Sequence, residues 1–322
     1  MSEPVVLLLA AGLGTRLQPL TDLLPKCLVP VQGYPLLFYW LEQIKTLGIR
    51  DCYVNLYYHG ELVRQVIESS PYRDWVKYIV EPELLGTAGT VRAIYPEIEG
   101  RSLWLIHADN LSSANWPNFI STFNEKCSAG EMLMHTFETD HPKSCGVVCL
   151  SQQNRVTEFH EKVAHPPSNL ANGAVYLLSS EIVEHIASDL LINDFSTQVV
   201  PTLLGKIVAW KTEGYHRDIG RWPSYLAAQQ EFSVDWQPAQ SAKWLTLWKD
   251  EQFFIDWVQA LEKALHSEQG TSPNNHWQVL KNWPTEEKLV NVQYAVIVSS
   301  QVDCSLDEIS AIAEHNVILS RC

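Results

Sequence analysis

The chain opens on an apolar run, Val5–Leu9, that passes straight into Ala10-Ala11-Gly12-Leu13-Gly14-Thr15-Arg16, a loop of small residues ending on a cation. Five consecutive apolar residues with no alternation read as a strand buried on both faces. Such a strand needs a layer on each side, and the following residues supply them by turns. Residues 35–47 read as a helix stopped by Gly48, 51–56 as a strand, 60–69 as a helix and Val76–Val80 as a strand. A helix over 88–95, a strand at Leu103–His107 and a helix at Trp116–Lys126 continue the alternation. The pattern predicts an α/β fold, a mostly parallel sheet covered by helices on both sides. In such sheets ligands bind at the carboxyl ends of the strands, where Gly12–Arg16 and Asp109 both fall.

Small residues let the backbone approach a ligand, and their amides can point at phosphate oxygens. Arg16 closes the loop, and Lys26 follows ten residues later behind Pro25, so two cations can neutralise a polyphosphate from two sides. The third glycine of the dinucleotide fingerprint falls at Leu17, and no Gly-Lys-Ser/Thr follows Gly14, so neither that motif nor a P-loop is present. A net charge of −14 argues against nucleic acid or an anionic membrane as partner, which makes local cations necessary for a nucleoside triphosphate. No stretch is apolar enough to span a bilayer. The first residues lack a basic n-region and run into the first strand, so no signal peptide is expected. Seven cysteines without a C-x-x-C pair read as free thiols of a cytoplasmic, reduced protein, with Cys145 and Cys149, in a run that alternates with valines, expected to be buried.

The second half reads as short strands, at 132–137, Gly146–Leu150, 155–159 and 174–178, fitting a mixed sheet in an acceptor lobe. A helix is expected over 222–232. The composition changes after Asp235, where six of the twelve tryptophans lie. The expected organisation is therefore a domain over 1–234, with a nucleotide part to about 130 and an acceptor part from 131, followed by an extension over 235–322. In that extension 253–266 reads as a helix, 270–275 as a loop and Tyr294–Ser299 as a strand, with no hexapeptide repeat of a left-handed β-helix. Its aromatic residues are suited to packing on the main domain or on a partner subunit, which would give a homo-oligomer through the C-terminal region.

The stretch LAAGLGTRL, with PLT, Pro25-Lys26, Pro30-Val31 and Gly33 behind it, resembles the signature of the sugar nucleotidylyltransferases. The resemblance extends in patches from about Val5 to Phe232. It implies a Rossmann-like domain that converts a nucleoside triphosphate and a sugar 1-phosphate into a nucleotide sugar and pyrophosphate with Mg²⁺. Leu9, Ala10, Ala11, Gly12, Gly14 and Thr15 would face the nucleotide, with Arg16 and Lys26 on its phosphates. Asp109, after Ile106-His107-Ala108, and Asp218, in His216-Arg217-Asp218-Ile219-Gly220, would hold the metal. Glu81, Gly86 and Thr87 sit in a stretch like the family's base loop, where Glu81 would accept hydrogen bonds from a guanine edge. Phe159-His160-Glu161-Lys162 resembles the F-x-E-K motif. There Lys162 would neutralise the sugar phosphate and Glu161 would bind hydroxyls, with Asn172 and Gly146 beside the sugar. His107, His160 and His216 read as residues of the surrounding shell. Three positions depart from the pattern: Cys27, Asn110 in place of a second aspartate, and Val163 in place of a proline.

Guanylyl transfer to a mannose- or heptose-type 1-phosphate is favoured by Leu85-Gly86-Thr87-Ala88-Gly89, which resembles that branch. Uridylyl or thymidylyl transfer to glucose or amino-sugar 1-phosphate is the alternative. A sugar-nucleotide sensor without catalysis, or a transferase acting on a non-sugar phosphate, are the readings from other classes.

Overall fold

Nine strands join in one sheet, and their directions divide it into two halves. In the computed structural model, which describes residues 3–269, 277–280, 294–299 and 317–320, the first half is parallel. Strands β1 (Val5–Leu9), β2 (Cys52–Leu56), β3 (Val76–Val80) and β4 (Leu103–His107) pair in the order β4-β1-β2-β3. Strand β5 (Asn110–Ser113) leaves the sheet. The second half comprises β6 (Met132–Glu138), β7 (Gly146–Leu150), β8 (Val156–Glu161), β9 (Leu170–Leu178) and β10 (Ile207–Lys211). There β9 runs antiparallel to β4, β6 and β7, and β8 antiparallel to β7. Only β10 beside β6 is parallel. The expected parallel character thus holds where helices connect the strands and ends where the tight 151–155 turn replaces a helix. Strand β11 (Tyr215–Asp218) pairs antiparallel with β5 in a ribbon of its own.

Helices α1 (Leu36–Thr46), α2 (Gly60–Glu68), α3 (Thr87–Ile98), α4 (Trp116–Lys126), α5 (Ser180–Ser188) and α6 (Trp222–Glu231) cover both faces. Val6 and Leu8 of β1 enter one core with Phe38, Trp40 and Trp116. Val5, Leu7 and Leu9 enter the other with Val91, Ile94 and Ile182. This two-sided burial is the reason β1 carries no polar residue. Cys145 and Cys149, expected to be buried, are both left half-buried.

The two helices described after residue 234 pack on the preceding domain. Helices α7 (Ala242–Lys249) and α8 (Glu251–Gln269) place Trp244, Trp248, Trp257 and Leu261 in the same core as α1. The Trp244 indole N–H donates to the Gly33 carbonyl at 3.0 Å, and the Ser69 and Ser241 hydroxyls meet at 2.8 Å. The described part of the aromatic tail therefore packs on the main domain, one of the two expectations for it. Further on, β12 (Trp277–Leu280), β13 (Tyr294–Ser299) and β14 (Val317–Ser320) pair in parallel. The expected loop at 270–275 lies outside the described residues. No helix among the described residues is long and apolar enough to cross a membrane.

Candidate active site

Where β1 stops, its backbone is held by one side chain. The amides of Ala10 and Ala11 donate to Asn55 Oδ1 at 2.6 and 3.2 Å. Asn55 is a buried polar residue in the otherwise apolar β2, so its remaining donors need partners. Its Nδ2 donates to Glu81 Oε1 at 2.8 Å and to Thr90 Oγ1 at 3.3 Å. The Thr90 hydroxyl donates to Glu81 Oε1 at 2.6 Å, and Glu81 Oε2 accepts the Leu85 amide at 3.1 Å. The loop after β1 and the loop before α3 are thereby one network. Asn55 and Thr90 went unrecognised in the sequence, although a lone asparagine inside an apolar strand is itself a signal that something must satisfy it.

Past Ala11 the chain turns at Gly14, whose φ is +64. Its carbonyl accepts the Thr21 hydroxyl and the Leu17 amide, both at 2.9 Å. A Cβ at this position would meet the Thr21 methyl at 2.8 Å. Residues Lys26–Leu28 then form a single 3₁₀ turn behind Pro25 and bury the stem of Lys26.

Lys26 reaches two carboxylates. Its Nζ lies 2.8 Å from Asp109 Oδ2 and 2.9 Å from Asp218 Oδ1. The aspartates meet because β5 pairs with β11 in the register Asn110↔Asp218, which sets Asp218 beside the residue after Asp109. Asp218 Oδ1 also accepts the Gly220 amide at 2.8 Å, and Arg16 Nη2 stands 3.8 Å from its other oxygen. Burial disfavours the Lys26 ammonium, but the two carboxylates outweigh it and its pKa is raised. Burial likewise disfavours the Asp109 carboxylate, and Lys26, helped by His107, outweighs that and lowers its pKa.

These groups surround a cavity of about 450 Å³. Leu9, Ala10, Ala11, Gly12, Gly14, Thr15, Arg16, Lys26, Glu81, Gly86, Thr87 and Asp109 line it, and His107 lies at its edge. Asp218 joins through Lys26 and Gly220. Glu81 lines the cavity with a buried carboxylate that already accepts hydrogen bonds from Asn55, Thr90 and the Leu85 amide, which fixes the loop.

The four residues expected around the sugar do not line this cavity. Gly146 and Glu161 are cross-strand partners on β7 and β8. Lys162 is 61% exposed and pairs with its neighbour Glu161 at 2.8 Å. Asn172 is committed within β9, where its Nδ2 donates to the Tyr176 hydroxyl at 2.6 Å and its Oδ1 accepts the Ala174 amide at 2.9 Å. His216 is half-buried against the fully buried His135, with ring centroids 4.6 Å apart, and His160 lies on the outer hairpin.

Residues 5–233 match the family model described as nucleotidyl transferase. The chain belongs to the nucleotidyl transferase family. This nucleotidyl transferase is 25% identical over 217 residues to the mannose-1-phosphate guanylyltransferase of Mycobacterium tuberculosis, a match covering 66% of this chain and 60% of that protein. It is 34% identical over 184 residues to the glucose-1-phosphate thymidylyltransferase of Streptomyces griseus, covering 56% of this chain and 51% of that one. The chain spans about half to three-fifths of the length of these curated relatives. Its structure resembles that of HddC from Yersinia pseudotuberculosis complexed with GMP-PN, with a TM-score of 0.61 and 26% identity over 72% of this chain and all of that one.

Proposed function

We propose that the chain transfers a nucleoside monophosphate from a nucleoside triphosphate to a sugar 1-phosphate and releases pyrophosphate. The observation that carries this reading is the meeting of Lys26, Asp109 and Asp218 at the mouth of the Gly12–Arg16 loop. A phosphate oxygen of the sugar 1-phosphate attacks the α-phosphorus in line. The bond from that phosphorus to the bridging oxygen breaks, and pyrophosphate leaves with the electron pair. The nucleophile is already an anion, so no base is required, and the protein supplies positioning and charge. Arg16 holds the departing pyrophosphate, and Lys26 turns from the aspartates to an α- or β-phosphate oxygen. Lys162 aligns the incoming phosphate, with Glu161, Asn172 and Gly146 on the sugar side. Asp109 and Asp218 already share one cation at hydrogen-bond distance, so the pair fits Mg²⁺, which would add neutralising charge at the phosphates.

GTP with a mannose- or heptose-type 1-phosphate is the favoured pair, supported by the Leu85–Gly89 stretch and by similarity to a mannose-1-phosphate guanylyltransferase. The similarity to a glucose-1-phosphate thymidylyltransferase favours dTTP with glucose 1-phosphate as the second reading. Pyrophosphate release is measured with GTP, UTP, dTTP, CTP and ATP against mannose, heptose, glucose and amino-sugar 1-phosphates, with phosphocholine as the non-sugar acceptor. The expected result is turnover with GTP and a mannose or heptose 1-phosphate, and GTP raising the melting temperature most. Thermal stabilisation by a nucleotide without pyrophosphate from any pair would favour a sensor and overturn the transferase reading.

A further inference from the structure

The outer hairpin carries a cluster that the proposed reaction does not use. In the register of β7 and β8, Cys149 stands directly opposite Glu158, just past a bulge between Val156 and Glu158. His160 lies two residues along β8, on the same face as Glu158. Their alternating neighbours Val148 and Phe159 turn into the core, which leaves Cys149, Glu158 and His160 on the outward side. One donor atom from each of the three lies within 4.8 Å of the others, and His160 Nε2 is 2.8 Å from Glu158 Oε2. Cys149 and His160 are half-buried and Glu158 is exposed, so the cluster is stiff on one side and open on the other.

We propose that Cys149, Glu158 and His160 form a binding site for a thiophilic divalent cation of the zinc class, separate from the aspartate pair. A thiolate, an imidazole and a carboxylate are the three donor types that zinc takes, and three protein ligands leave the fourth tetrahedral position to water. Mg²⁺ is excluded by the sulfur and nitrogen donors, since it selects oxygen. Donors around zinc stand roughly 3.5 Å apart, so the cluster needs a rotation of side chains and no movement of the strands. Binding displaces the thiol proton to solvent and leaves the sulfur as the charged ligand. The cation would tie β7 to β8 one residue from Glu161 and two from Lys162, so its occupancy would stiffen the hairpin that presents them.

The full chain, reduced and freed of metal with a chelator, is titrated with Co²⁺ and read by absorption. The expected result is a near-ultraviolet thiolate-to-cobalt band that saturates at one equivalent and is displaced by Zn²⁺. Cys149→Ser should abolish it, and His160→Asn should weaken Co²⁺ binding by about tenfold or more, the least that losing a ligand costs when even supporting residues matter this much. In parallel, Zn²⁺ should raise the melting temperature of the wild-type chain and that of His160→Asn by clearly less at the same concentration, a readout that survives if Cys149→Ser folds poorly. The chain has seven cysteines, so a band that persists in Cys149→Ser belongs elsewhere and overturns the proposal. So does a band that disappears in Cys149→Ser but ignores both His160→Asn and Glu158→Gln, because a lone thiol then binds the ion. No band at all has the same consequence.

Discussion

The loop after β1 and the hairpin at the far edge of the sheet both join a glycine to a cation, yet they are held in opposite ways. The loop rests on buried groups. Asn55 fixes two of its amides, Glu81 and Thr90 fix Asn55, and Lys26 is 6% exposed between two carboxylates. The hairpin rests on an edge strand, where Lys162 is 61% exposed and its partner is the residue before it. A buried, fully bonded network sets geometry before a ligand arrives, because any displacement leaves polar groups unsatisfied. An exposed pair costs little to rearrange. With the nucleotide at the loop and the acceptor at the hairpin, as proposed, the first side would be preorganised and the second would take its final geometry from what binds there.

The severest challenge to that contrast is Lys26→Met. Turnover should fall about 10³-fold, the upper range for losing one charge-stabilising donor. With the internal counter-ion gone, the aspartates should also take up Mn²⁺ in the ligand-free enzyme, read by electron paramagnetic resonance. Wild-type protein that binds Mn²⁺ equally well without nucleotide would show that Lys26 does not hold the pair. Arg16→Ala should lower kcat about a hundredfold, and a variant with wild-type turnover refutes its assignment to the pyrophosphate. Asn55→Ala should cost about 2 to 4 kcal/mol in urea denaturation, since it strands buried groups. It should also raise the KM for nucleotide while sparing that for the acceptor. Lys162→Ala should do the reverse, raising the acceptor KM by about tenfold, the size of one charge-assisted hydrogen bond. If Asn55→Ala disturbs both substrates alike, the two sides are not held independently.

The smallest effect concerns the seam between the sides, where His135 of β6 meets His216 of β11. Burial pushes the His216 pKa down to about 4, against the pull of Asp218 and Asp109. Burial, with His216 adjacent, holds His135 well below the ordinary histidine range. The unfolded chain gains these protons near pH 6.5 while the native state resists them, so the unfolded state binds more protons in this window. Stability should fall as the pH drops from about 6.5 towards 4, and a melting temperature that stays level over that range would contradict the burial of the pair.

Much of the first half was legible because its signals are local. Val76–Val80, Leu103–His107 and Trp116–Lys126 fall where periodicity puts them. Strand β9 begins four residues before the expected 174. Its pairing shifts between Asn172 and Tyr176, where Ala174 has a φ of +52, and the bulge breaks the alternation that marks a strand. The ribbon of β5 and β11 escaped notice because its eight residues are mostly polar and pair across a hundred positions. At the site, charge and glycine pattern pointed to the loop, to Lys26 and to both aspartates. The partners of Glu81 were hidden for a different reason. A carboxylate near a base loop looks free in one dimension, and its partners Asn55 and Thr90 come from elements 26 and nine residues away.

Gly86 sits with φ +78 against the backbone of Asn193, whose carbonyl any Cβ there would strike. The same carbonyl accepts the Ala88 amide at 3.0 Å, and Arg92 clasps Ile192 beside it. A stretch from late in the chain thus forms the floor under the early loop. Any residue but glycine at 86 collides with that carbonyl, so the 84–87 turn and the 189–194 segment, a hundred positions apart in the chain, can drift only together.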